Sequence, residues 1–339
     1  MTSAAVGARG DVDVNILRCP ITKQSLTYRT ASMLETKDGS YGYPIEEGIF
    51  LLTPDKAIDL AVGCVVPESV RQEKVIVRDF YDQFGWKLTE SGEYHDTAAF
   101  IDQRPLSYAF TELCMKHVGG YLPPSGKYLL DAGSGAIPHH AYMDYHANYA
   151  WRICVDFSIE ALHEARRKLG DRGIYVLGDI TNLPFSDNAV DAAISNHVVY
   201  HVPADEQANA FRELWRVTRP GGRAVVVYSW KAAALPWWIE QFAIRILGLR
   251  RKKATQSQER ESMPRLYFHQ QSLNWFEKQR WPFKYAIRPF RVVSNEFLGS
   301  YLGNDRRSRI LIRLLQGIQY AFPRLCGRYG QYPTIVISK

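Results

Sequence analysis

Two hydrophobic rhythms divide the chain. From Lys127 onward, short apolar runs alternate with helical stretches: Tyr128-Leu129-Leu130, Arg152-Ile153-Cys154-Val155, Tyr175-Val176-Leu177, Val190 to Ser195 and Arg223 to Tyr228. Strands of this length separated by helices predict a parallel sheet with crossover helices. Ile159 to Leu169 is a helix that Ser158 can cap, with Glu160 in its first turn. Ala204 to Thr218 is another, and the turn Arg219-Pro220-Gly221-Gly222 stops it. Tyr285 to Arg288 and Thr334 to Ile337 supply two more strands and bring the sheet to seven, with the helical stretch Arg306 to Phe322 between them.

Ahead of this core the rhythm differs. Residues 70–124 are mainly helical, with helical spacing of apolar positions over Val75 to Tyr81 and Ser107 to Val118 and an irregular polar segment between them. Residues 14–56 form a small β-rich unit with a turn at Lys37 to Ser40. In this unit Leu17-Arg18-Cys19-Pro20 and Tyr43-Pro44-Ile45-Glu46-Glu47-Gly48-Ile49 resemble the zinc-ribbon-like domain of small bacterial proteins and tRNA methyltransferase activators. Thr22 stands where a second ligand cysteine would fall, so a remnant without metal is expected. The four regions are thus 14–56, 70–124, a core over 125–230, and 231–339 as the part that sets substrate choice.

Composition narrows the setting. The chain has 339 residues, a formal charge of +7, and five cysteines with no repeating spacing. The first thirteen residues lack an apolar run, and no stretch reaches the ~20 apolar residues of a membrane span. A cytoplasmic protein with free thiols is the expectation. The positive excess sits in Arg250 to Lys253 and in Arg306, Arg307, Arg309 and Arg313, which read as solvated faces. The segment 235–253, with Trp237, Trp238 and its basic end, suits a peripheral membrane contact, a lid or a homodimer contact equally.

The chemistry lies at the strand ends. Asp131 is followed by Gly133, Ser134 and Gly135, where missing Cβ atoms let a ligand approach the backbone. Pro138 stands where a dinucleotide fold needs a small residue under the pyrophosphate, which argues against NAD. Asp156 ends the next strand, and one carboxylate there can accept both hydroxyls of a ribose diol. Asp179 ends the third strand, followed by Ile180.

Together, Leu130 to Gly135, Val155-Asp156-Phe157-Ser158, Gly178-Asp179, Leu183 to Asn188 and Val217 to Gly222 resemble class I S-adenosylmethionine (SAM)-dependent methyltransferases over residues 75–230. The resemblance implies a Rossmann-like α/β fold: a seven-stranded, mostly parallel sheet with helices on both faces, here with the small N-terminal β unit. It implies SAM as cofactor, bound by Asp131, Gly133, Ser134, Gly135, Asp156, Phe157, Asp179, Ile180 and Asn196, with Asp179 toward the adenine. Ile137 departs from the third glycine of many members. Tyr81, Phe84 and Trp86 lie in the lead-in that folds over the cofactor in this family, where an aromatic face suits a sulfonium.

Methyl transfer to a hydroxyl gains from a base. His197 is the first candidate, His201 and His139 the others; His140, Tyr267, His269 and Trp275 are further pocket candidates. The expected acceptor is a hydroxyl or amine of a small molecule or glycan precursor. Ser195-Asn196-His197-Val198 lacks the Pro-Pro-aromatic run of nucleobase amino methylation, so no nucleic acid is expected. The competing reading is a catalytically silent scaffold.

Overall fold

The structure, a computed structural model, describes residues 13–250 and 263–339. At the N-terminal end, β1 (Leu26–Thr30), β2 (Met33–Thr36), β3 (Tyr41–Glu46) and β4 (Ile49–Leu51) form an antiparallel meander, with β5 (Ile58–Asp59) and β6 (Cys64–Val65) beside β3. Three helices follow, α1 (Gln72–Phe80), α2 (His95–Phe100) and α3 (Pro105–Gly119). The alternating part then runs β7 (Gly126–Ala132), α4 (His140–Met143), β8 (Tyr149–Asp156), α5 (Ile159–Leu169), β9 (Gly173–Leu177), β10 (Val190–Asn196), α6 (Gln207–Val217) and β11 (Thr218–Val227). Last come α7 (Leu235–Arg245), α8 (Leu273–Lys278), β12 (Lys284–Arg291), α9 (Asn295–Tyr301), α10 (Arg306–Ala321), α11 (Pro323–Tyr329) and β13 (Tyr332–Ser338).

The seven strands expected from the sequence lie in the order β9-β8-β7-β10-β11-β13-β12. β7 to β11 are mutually parallel, and β13 is antiparallel to both β11 and β12. The N-terminal unit joins this sheet: β4 pairs in parallel with β9, Ile49 opposite Tyr175 and Leu51 opposite Leu177, and β3, β2 and β1 continue outward from it.

The central strands β7 to β10 are buried on both faces, so successive residues serve opposite cores. Leu129, Cys154, Ala192 and Val225 face the core shared with α3, α5 and α10, whereas Leu130, Ile153, Ala193 and Val226 face α6 and the N-terminal unit. In that unit the buried Cys19 Sγ lies 3.1 Å from the Tyr43 hydroxyl and accepts from the Thr22 N–H at 3.3 Å. Position 22 thus contributes its backbone where a ribbon would place a thiolate.

Local differences have local causes. The Ser158 hydroxyl accepts from Ala161 N–H and starts α5 where its capping residue suggests. The turn 219–222 falls inside β11, because Thr218 already pairs with Val190 before Arg223 pairs with Ala192; the residues between loop out as a bulge, with Gly221 at φ +79°. Phe84 packs against Phe80 and stacks on His95 at 4.5 Å, away from the cavity described below. Trp237 and Trp238 on α7 are exposed. Residues 251–253 of the basic run and 254–262 of the following polar stretch lie outside the described residues. Among the described residues no helix is long and apolar enough to cross a membrane.

Candidate active site

One cavity of about 660 Å³ opens over the carboxyl ends of β7 to β10, the edge where parallel α/β sheets hold ligands. At its floor the chain turns through Gly133 (φ +75°) and Gly135 (φ +53°). A Cβ on Gly133 would collide with Val198, and one on Gly135 would lie 2.5 Å from Trp86 Cζ2. Both glycines are therefore required by conformation and by space. Ile137, which replaces a family glycine, also sits in the left-handed region at φ 50°. That is a strained state for a β-branched residue, held here by burial of its side chain.

Every cofactor residue expected from the sequence borders this cavity: Asp131, Gly133, Ser134, Gly135, Asp156, Phe157, Asp179, Ile180, Asn196 and Tyr81. Their chemical states differ. Asp131 is buried and ion-paired through Oδ2 with the equally buried Arg152, which also donates to the Tyr142 carbonyl at 2.6 Å. Its charge is thus already matched inside the protein. Asp179 accepts from Lys74 Nζ at 2.6 Å and from the Thr181 N–H and hydroxyl. Asp156 accepts from Gly135 N–H at 2.8 Å and Ser158 N–H at 2.9 Å. Burial, helped by Asp82 and opposed by its backbone hydrogen bonds, pushes its carboxyl up to about 6.

Above the glycines, α1 passes into a wide turn at Tyr81 to Gly85 that delivers two aromatics. Tyr81 and Trp86 stack at 5.1 Å between centroids. The buried Trp86 Nε1 donates to no partner among the described residues. Beside them lies Asp96, which the sequence reading passed over. Burial alone raises its carboxyl to about 7.

The three candidate histidines all border the cavity. His197 leaves β10 at φ 61°, a left-handed state that histidine adopts more readily than most residues. It lies edge-on to Phe290 and Tyr332, with centroids 4.9 and 5.4 Å away. Burial, Arg291 and the two other histidines lower it to about 3. His139 is lowered to about 4 by burial and Lys168, and His201 to about 4 by burial. All three are neutral near pH 7. The His201 Nδ1 lies 2.8 Å from the Tyr267 carbonyl, a contact that places the ring proton on Nδ1 and leaves Nε2 as acceptor. His140, one residue beyond His139, is exposed.

The expected pocket role of Tyr267, His269 and Trp275 is corrected by the structure. Residues 264–271 lie in neither helix nor strand, and alternate residues among them, Leu266, Phe268 and Gln270, border the cavity. Tyr267 and His269 do not border it: Ala204 N–H donates to the Tyr267 hydroxyl, and Gln207 Nε2 on α6 to the His269 backbone carbonyl. Trp275 on α8 packs against Trp281. Arg291, Phe290 and Tyr332, on β12 and β13, also escaped the sequence reading and border the cavity. An arginine closing an apolar strand was the available signal.

Comparison with known proteins agrees with this geometry. Residues 130–226 match the family described as "Methyltransferase domain". An uncharacterized methyltransferase of Mycobacterium leprae is 38% identical over 129 residues, 38% of this chain and 44% of that protein. The malonyl-[acyl-carrier protein] O-methyltransferase of Yersinia pestis is 29% identical over 175 residues, 50% of this chain and 54% of that one. The chain thus spans about half the length of these curated relatives. The solved Haemonchus contortus phosphoethanolamine N-methyltransferase 1, bound to phosphoethanolamine and S-adenosylhomocysteine, superposes with a TM-score of 0.49 at 12% identity, covering 80% of this chain and 50% of that one. With its parallel sheet and its glycine turn, the chain carries over residues 130–226 a segment similar to the methyltransferase domain, whose cofactor is SAM.

Proposed function

We propose that the chain transfers a methyl group from SAM to a hydroxyl or amine of a small molecule or glycan precursor. The observation that carries this reading is the continuity of the cavity, which joins the glycine turn and Asp156 to a second end walled by His197, Tyr200, His201 and Phe268. Its volume of about 660 Å³ lies within the range of small-molecule sites.

The residues present suit SAM. Gly133 and Gly135 leave a cradle that side chains would fill. Asp156 has the capacity to accept from a ribose diol beyond its backbone donors. Trp86 Nε1 is a buried donor awaiting a partner. Asp96 is a carboxyl raised by burial alone, available to balance a cation, and the stacked pair Tyr81–Trp86 offers aromatic faces. SAM, when bound, supplies a methyl group already activated by its sulfonium.

The chain then has three tasks: to orient the acceptor, to exclude water and to receive the acceptor's proton. Tyr200, Phe268 and Tyr332 form apolar walls at the second end. For the proton, His201 Nε2 is the best-prepared of the three histidines, because its ring is fixed by Tyr267 and no cation contributes to its depression. His197, first choice from the sequence, is the weakest base, because burial and, after it, the Arg291 charge lower it furthest.

The test is incubation with methyl-tritiated SAM and a panel of hydroxylated, amino and sugar compounds, counting label transferred. Transfer to a panel member, lost in Asp156→Ala, supports the proposal. Tight SAM binding with no transfer to any member contradicts it and favours the silent scaffold.

A further inference from the structure

Among the described residues two arginines are almost wholly buried, and only one of them has a counter-ion. Arg152 is matched by Asp131. Arg291, 1% exposed, has none within ion-pair distance among the described residues; its partners are all neutral. Nε donates to the Val293 carbonyl at 3.0 Å, one terminal nitrogen to Thr111 Oγ1 at 2.8 Å, and the other to Asn295 Oδ1 at 2.7 Å. A guanidinium has five N–H donors, so these bonds leave two without a described partner. The faces of Phe290 and Tyr332, 5.8 and 5.1 Å from its central carbon, soften the charge without neutralising it. Burying an unmatched charge is costly, and structures keep such groups where a ligand completes them.

The local fold directs this side chain on purpose. Along a regular strand Phe290 and Arg291 would face opposite sides, yet both border the cavity. The register of β12 against β13 slips between Pro289 and Arg291, and such a bulge re-aims the residue that follows it. Thr111 on α3 and Asn295 at the start of α9 then hold the guanidinium from two sides. Of the other carboxylates on the cavity wall, Asp131 is engaged by Arg152 and Asp179 by Lys74, Asp156 accepts from backbone N–H groups, Glu296 is exposed, and no ion pair joins Asp96 to Arg291 among the described residues.

We propose that Arg291 anchors an anionic group, carboxylate or phosphate, carried by the methyl acceptor; this rests on the methyl-transfer reading above. The anion docks on the two remaining N–H groups, and Phe290, Tyr332 and the His197 ring enclose the body attached to it. The acceptor class is therefore a hydroxy- or amino-substituted carboxylic acid or phosphate ester. The free acid, not its neutral ester or amide, is the form bound.

The test uses wild-type protein saturated with S-adenosylhomocysteine, titrated calorimetrically with 4-hydroxybenzoate, 4-hydroxyphenyl phosphate and the neutral 4-hydroxybenzamide. At least one anion is expected to bind about tenfold or more tightly than the amide, and the tighter of the two tells carboxylate from phosphate. Arg291→Gln should erase this preference while leaving the affinity for S-adenosylhomocysteine within about twofold, and Arg291→Lys should restore part of it. The wild-type comparison of acid with amide stands even if the glutamine variant folds poorly. Equal binding of the amide, no saturable binding of either anion, or an equal loss of S-adenosylhomocysteine affinity in a folded Arg291→Gln protein overturns the assignment. Failure of the wild-type protein to bind S-adenosylhomocysteine would instead sink the methyl-transfer reading itself.

Discussion

Lowering the pH should weaken cofactor binding through Asp156, and the size of the effect follows from its surroundings. Burial and the nearby Asp82 raise its carboxyl from 3.8 to about 6, against the pull of N–H donors from Gly135, Ser158 and Phe157. Only the ionised form accepts from two hydroxyls at once. With a pKa near 6, roughly one protein in ten is ionised at pH 5, so the affinity for S-adenosylhomocysteine should fall about tenfold between pH 7.5 and pH 5. Stability of the free protein runs the other way. A carboxyl raised in the folded state favours folding below its unfolded pKa, and that contribution is lost as pH rises through about 6. Asp96 titrates nearby, at about 7, so the wild-type profile is to be read against Asp156→Asn. That variant should bind more weakly at pH 7.5 by about 1.5–3 kcal/mol, the worth of hydrogen bonds to a charged group. Its profile should also lose the part of the slope centred near pH 6. Calorimetric titration at four or five pH values supplies both quantities. A flat wild-type profile, or an asparagine variant with the full wild-type slope, refutes the reasoning.

Other substitutions probe separate links. Gly135→Ala must accept φ +53° and a Cβ 2.5 Å from Trp86 Cζ2, so S-adenosylhomocysteine affinity should drop by about tenfold or more, with at least 1 kcal/mol of strain in the turn; wild-type affinity would show that the turn does not meet the ligand. Arg152→Met leaves Asp131 buried and unpaired and should cost about 3–5 kcal/mol in urea unfolding, most of it recovered in Asp131→Leu/Arg152→Met. Asp96→Asn should weaken SAM more than S-adenosylhomocysteine, by about tenfold in the ratio, because only SAM carries the sulfonium charge; equal losses would remove Asp96 from that role.

What could be read from the sequence was what is local. The strand-terminal acids, the glycine turn and the Ser158 cap are short-range signals, and each lies where the pattern of residues suggests. Pairings across the fold were not legible. That Asp131 is matched by Arg152, or Asp179 by Lys74, depends on residues brought together by the β7–β8 register and by α1. Asp96 sat in a segment read as irregular, and its character comes from burial that only tertiary packing creates. The choice of Phe268 over Tyr267 and His269 depends on the phase of a segment outside any helix or strand, in which Leu266, Phe268 and Gln270 border the cavity. Arg291 needed the bulge after Pro289 to reach the cavity. The continuation of the sheet through β4 was hidden because Ile49 to Leu51 reads as an ordinary short strand with no mark of its partner.

The proposed function rests on SAM binding in the cavity at the glycine turn. Calorimetric titration of the wild-type protein with SAM, S-adenosylhomocysteine and NAD tests it most directly. One-to-one binding of SAM and its product in the micromolar range, with no heat of binding from NAD, is the expected result. Silence with both SAM and S-adenosylhomocysteine, or saturable binding of NAD in their place, would contradict it.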